Sequence, residues 1–227
     1  MNLKQTLNLK RGDVLGLDIG SCAVKIIALS KDSEGYKVKA AGIAEIAEIP
    51  LNECGAVSGE KITVNVNTVK AIRECFAVAK LRAKAKLRTN FAVCGVSGPE
   101  VAVRDFEFPL LPPEDVEGAV SLEAAQVCPF NADQASVDFQ LISEIEAEKT
   151  TGFLVAATNT LVTNKIQLAK DAGLKCVLMD IDGLALLNCF YGLSSDNDKS
   201  AAAILNVGGL KATNSNSHSM TNHEELH

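Results

Sequence analysis

The chain has 227 residues, 47% hydrophobic but only 4% aromatic and without Trp, enough for one large or two small domains with an Ala-, Val-, Ile- and Leu-built core. A formal charge of −6 argues against a nucleic-acid binder, which carries a basic stripe. Seven Cys, an odd number with no C-x-x-C pair, argue against a zinc cluster or disulfide framework and read as small buried residues in a reducing cytosol.

The opening MNLKQTLNLKRGD has basic residues but no apolar segment behind them, so it is not a signal peptide. No run of ~18 apolar residues is free of charge, so no helical membrane span is expected and the reading is a soluble cytoplasmic protein. Val14–Leu17 and Ala23–Leu29 read as two buried strands of a hairpin, with Tyr36–Ile46 as a third. LNECGAVSGEKIT, rich in small and polar residues, reads as a loop. A helix is expected from Asn67 or Thr68, with Val69, Ile72, Phe76 and Ala79 at helical spacing. Its end carries Lys80, Arg82, Lys84, Lys86 and Arg88, charges that suit a solvated helix C-terminus; the acidic total disfavours the alternative of an anionic-lipid site.

NFAVCGVSG is a further strand and turn, and VAVRDFEF another, closed by Pro109, Pro112 and Pro113. The last two prolines with Glu114 and Asp115 start a helix whose Val116, Val120 and Val127 share a face. SVDFQLISEI and GFLVAAT read as strands joined by a hairpin-like EAEKTTG. Val162, Ile166 and Ala169 define the apolar face of the next helix, which Gly173 stops. KCVLMDID is a strand, GLALLNCFYGL a helix, SSDNDKS a linker and AAAILNVGG a strand running into glycines. The interleaving favours an α/β or α+β layered fold.

The stretch VLGLDIGSCAVKIIALS carries the main chemical signal. Between two apolar strands, Gly20 lets backbone approach an anion, and successive N–H groups of the turn can face phosphate oxygens. Ser21 adds a hydroxyl donor, Asp18 an oxygen ligand for Mg²⁺, and Lys25 a cation that a hairpin bend brings toward phosphates. The same D-x-G also fits an ordinary hairpin corner.

With Lys25 seven residues after Asp18, the pattern resembles the first phosphate loop of the actin, heat-shock chaperone and sugar-kinase superfamily. IDGLALLNCFYGL resembles that superfamily's connecting helix, which places Asp182 where an acidic residue helps hold the metal's water. ILNVGG then stands where the second phosphate loop belongs, with Asn206, Gly208 and Gly209. Within the superfamily, VRDFEFPLLPPEDVEGAVSLEAAQVCPFNADQASVDFQLI and DAGLKCVLMDIDGLAL resemble the type IV pilus assembly protein PilM family, related to the cell-division protein FtsA. The resemblance runs from Val14 to Asn214.

It implies an actin-like (ribonuclease H-like) α/β first lobe: subdomain 1A over 1–96 and again over 175–199, an inserted α+β subdomain over 97–174, and the start of subdomain 2A over 200–214. It further implies ATP and Mg²⁺ as ligands, with Asp18, Gly20, Ser21, Lys25, Asp182, Asn206, Gly208 and Gly209 around the nucleotide and Asp18 and Asp182 toward the metal. The implied partner is the N-terminal segment of an inner-membrane PilN-like protein, in contact with pilus motor and platform proteins. The protein would be a scaffold rather than a catalyst, held at the inner membrane through that partner.

Two departures temper this. Asn206 replaces a common metal-binding Asp, keeping a carbonyl oxygen but losing charge. After Asn214 the sequence reads SNSHSMTNHEELH, without an apolar face, like a disordered tail or shifted reading frame over 215–227. Weak or absent ATP binding is therefore expected, together with an unpaired strand edge at Ala201–Val207. HEELH matches the H-E-x-x-H zinc-protease pattern but lacks the buried helix, third ligand and cleft that motif needs. The competing readings are an FtsA-like division protein, a type II secretion platform protein, and a sugar or acetate kinase fragment with Asp180 or Asp182 as base.

Overall fold

The computed structural model describes residues 14–32, 35–47, 57–82, 89–142, 148–193, 203–207 and 212–216. Three strands open the chain: β1 (Leu15–Ile19), β2 (Ala23–Asp32) and β3 (Gly35–Glu45). Helix α1 (Val57–Arg82) crosses to β4 (Phe91–Val96), which lies parallel to β1. With β8 (Lys175–Ile181) these form a five-stranded sheet of order β3-β2-β1-β4-β8.

Period-two burial explains that sheet. Leu15, Leu17 and Ile19 of β1 are buried, and antiparallel register sets them opposite Ala28, Ile26 and Val24 of β2. Ala92 and Cys94 of β4 continue the same face. Ala71, Ile72, Cys75 and Ala79 of α1 pack into this cluster, so the helix docks through small residues and comes close to the strands.

Helix α1 begins about ten residues before the expected Asn67 or Thr68, and Val57–Thr63 is helical rather than loop. Gly, Ser, Thr and Val have poor intrinsic helix propensity, but extending a helix that tertiary packing has already nucleated adds a hydrogen bond for each residue fixed. The residues that follow Arg82, including Lys84, Lys86 and Arg88, lie outside those described, as does SSDNDKS.

A second sheet has the order β5-β7-β6, all antiparallel, from β5 (Val101–Pro109), β6 (Ala135–Leu141) and β7 (Lys149–Thr158). Helix α2 (Pro113–Val127) starts at the expected prolines and covers one face with Val116, Val120 and Ala124. Their core includes Phe106 and Leu154, with Phe108 and Phe139 packed against it. Phe106 stacks on Phe108 at 4.9 Å between centroids and meets Phe139 edge-on at 6.4 Å. The side chain of buried Thr150 accepts a hydrogen bond from Leu111 N at 3.1 Å, tying the Pro-rich turn to β7. Thr150, Thr151 and Gly152, expected in a connection, belong to β7. As the central strand it pairs on both sides, and that pairing recruits them.

Helix α3 (Asn159–Asp171) is capped by Thr158, whose Oγ1 accepts from Leu161 N at 3.3 Å. It ends in a Schellman motif: Gly173 N donates to Lys170 O and Leu174 N to Ala169 O, both at 2.9 Å. Gly173 has φ +87°, a left-handed value that suits glycine. The buried face is Leu168 and Ala169 with Ala172 beside them, whereas Ile166, expected in the core, is 42% exposed. The helix docks about one residue rotated from the face that apolar spacing suggests, because the chain reversal at Gly173 aims Leu174 into the core.

Helix α4 (Asp182–Leu193) follows β8 directly. Strands β9 (Ala203–Val207) and β10 (Ala212–Asn216) form a two-stranded sheet. The edge expected to be bare at Ala201–Val207 is thus paired on one side by β10, which takes in Ser215 and Asn216. Backbone pairing needs no apolar face, which is why a polar sequence can supply it. By proximity the chain forms two compact units, one drawing on Met1–Gly95 and Lys165–Asp180, the other on Val96–Asn164 and Ile181–Leu205.

Candidate phosphate corner and family membership

The site begins at the β1–β2 hairpin. Gly20 N donates to Ala23 O at 3.0 Å and closes the corner Gly20–Ser21–Cys22–Ala23. A Cβ on Gly20 would lie 2.9 Å from that same Ala23 oxygen, so any other residue must open the turn. Ser21 and Cys22 are exposed at the tip. Beyond the corner, Cys22 O accepts from Ile46 N at 2.8 Å, which ties the turn to the end of β3.

Register decides where the charges go. Asp18 pairs directly with Lys25 across the hairpin, so both side chains leave the same face of the sheet. Lys25 Nζ stands 3.0 Å from Asp18 Oδ2, with the side chains 59% and 46% exposed. The hairpin thus brings Asp18, Gly20, Ser21 and Lys25 into one exposed corner. Asp182 is the half-buried first residue of α4, and Asn206 is exposed on β9; Gly208 and Gly209 lie outside the described residues. The HEELH segment lies outside them too.

One contact at this corner escaped the sequence reading. Lys165 Nζ of α3 donates to the carbonyl of Ile19, the residue between Asp18 and Gly20, from 146 positions away. A lysine sharing a helix face with buried Leu168 and Ala169 was the available signal, because a cation on an apolar face requires a partner. The contact fixes the exit of β1 from below.

The first corner suits the phosphate end of a Mg-nucleotide: a hydroxyl, a cation and a carboxylate, the last a hard-cation ligand, stand exposed around a turn with no room for a Cβ at Gly20. Bound there, the nucleotide would present its anionic oxygens to Ser21 and Lys25, and its metal to Asp18.

Residues 16–222 match the family model described as type IV pilus assembly protein PilM. The chain belongs to the PilM family. Among solved structures, it resembles the PilM-PilN type IV pilus biogenesis complex at 24% identity and a TM-score of 0.60, over 79% of this chain and 51% of that one. At that identity the likeness establishes the fold: the five-stranded sheet with its crossing helix is the actin-like α/β architecture of PilM. The chain spans about half the length of that PilM chain. It also resembles, more loosely, the cytoplasmic domain of EpsL, an inner-membrane component of the Vibrio cholerae type II secretion system. There the identity is 14% and the TM-score 0.48, over 77% of this chain and 59% of that one. The PilM family match reaches eight residues beyond Asn214, so it takes in β10.

Proposed function

We propose that this PilM-family chain acts as a scaffold of type IV pilus assembly, docking the N-terminal segment of a PilN-like inner-membrane protein. The observation that carries this reading is the family match across residues 16–222, which includes the complete β5-β7-β6 sheet and α2. That unit has its own aromatic core around Phe106, as a docking module needs. No helix among the described residues is long and apolar enough to cross a membrane, so attachment to the inner membrane would come through the partner.

Nucleotide takes a structural role in this proposal, and a weak one. Asp18 is already neutralised by Lys25, and Asn206 offers a carbonyl oxygen where a carboxylate would hold a metal more tightly. Partner docking is tested by fluorescence anisotropy of a labelled N-terminal peptide from a PilN-like protein, titrated with the full chain. Saturable binding that a scrambled peptide does not reproduce is expected. Absence of binding by protein with a cooperative thermal transition would refute the proposal.

A further inference from the structure

The first unit holds a second chemically distinctive group, away from the exposed corner. Cys94 of β4 is fully buried, and Cys176 of β8 is half-buried. The two strands are neighbours in the sheet, and the two thiols are hydrogen-bonded to each other. Cys176 Sγ also lies 3.3 Å from Leu178 O, to which it donates. The charge of Lys165, whose ammonium holds the Ile19 carbonyl, acts on Cys94 as well.

We propose that Cys94 and Cys176 form a redox-active thiol pair, oxidised by a hydroperoxide to an intramolecular disulfide across β4 and β8. Neighbouring strands lie about 4.7–4.9 Å apart, and disulfides accept Cα separations of about 4.4–6.8 Å, so the bond needs side-chain rotation rather than a rebuilt sheet. Cys176 is the attacking group because it is the more accessible of the two. The hydrogen bond from Cys94 holds the Cys176 thiol down at about 7, against burial, whereas the same contact and burial push Cys94 far up. Other thiols of the described chain contrast with it. Cys75 is buried with its thiol on Val24 O at 3.4 Å, and burial pushes it up, as it does Cys128.

In the first step the Cys176 thiolate attacks the outer oxygen of the hydroperoxide. An S–O bond forms, the O–O bond breaks, and the departing alkoxide or hydroxide takes a proton, leaving Cys176 as a sulfenic acid. In the second, Cys94 sulfur attacks Cys176 sulfur. The S–S bond forms, the S–O bond breaks, and the leaving hydroxide departs as water with the Cys94 proton. Two thiols give two electrons to one peroxide.

The test treats the full reduced chain with one equivalent of hydrogen peroxide at neutral pH, blocks remaining thiols with N-ethylmaleimide, and maps non-reduced peptides by mass spectrometry. Loss of two of the seven thiols and a dominant Cys94–Cys176 linked peptide are expected. In a parallel experiment without peroxide, iodoacetamide labelling of Cys176 should rise with a midpoint near pH 7, and Cys94→Ser should slow it about tenfold at pH 7. Three results would overturn the proposal: bridges scattered among the cysteines, oxidation that stops at a dimedone-reactive Cys176, or a wild-type labelling midpoint near 9. The wild-type arms decide the matter even if Cys94→Ser does not fold.

Discussion

Replacing Gly152 with Ala probes the packing that makes the β5-β7-β6 sheet a separate docking unit. A Cβ at position 152 would meet two obstacles of different stiffness. Phe106 Cζ would stand 2.6 Å away and Cε1 3.1 Å, and the backbone oxygen of Gln140 would be in hard contact. The ring can turn only by disturbing its stack on Phe108 and its edge contact with Phe139, while the carbonyl belongs to the β6 ladder. Overpacking of this kind costs about 1–3 kcal/mol, and the fixed carbonyl puts Gly152→Ala toward the upper end. For a chain of this length, about 2–3 kcal/mol lowers Tm by roughly 5–10 °C.

Thermal unfolding of wild type, Gly152→Ala, Phe106→Leu and the double variant gives the answer. Because the ring is one of the two obstacles, the double variant should be more stable than additivity requires, by about 1 kcal/mol. Hydrogen exchange should show weakened protection in β5, β6 and β7 with β1, β2 and β4 unchanged. A Gly152→Ala protein melting within 1 °C of wild type, or strictly additive variants, would refute the close-packing argument.

Three further outcomes are expected. Isothermal titration should show Mg-ATP binding no tighter than about 1 mM, and a micromolar affinity abolished by Asp18→Ala would sink that expectation. Lys25→Met should change unfolding free energy by less than about 1 kcal/mol, since exposed ion pairs contribute little, and a larger loss that persists at high salt would show the pair to be structural. Gly173→Ala should destabilise by about 1–2 kcal/mol in urea unfolding because of its left-handed φ, and no loss would mean that the Schellman turn relaxes without strain.

Much of the fold was legible because it rests on local pattern. Alternation marked β1, β2 and β4, and Pro112, Pro113 and the acids after them marked the start of α2. The phosphate corner was legible for the same reason, since Asp18, Gly20 and Ser21 are consecutive or nearly so. Helix α1 shows the limit: Gly59 and Thr63 read as loop, yet packing further along carries the helix back through them. Ile166 shows another, because apolar spacing in α3 was compatible with two neighbouring faces and the turn at Gly173 selected one.

The sequence by itself determined the α/β order of elements, the short-range corner and, through its middle segment, membership of the PilM family. These depend on periodicity, turn chemistry and motif spacing, all confined to short stretches of chain. Only the tertiary structure decided that Lys25 faces Asp18 at 3.0 Å, that Lys165 reaches the Ile19 carbonyl, and that Cys94 and Cys176 share a hydrogen bond. Each of these requires strand register or the meeting of elements distant in the chain. A carbonyl or a thiol carries no mark in the sequence of the partner that folding will bring to it.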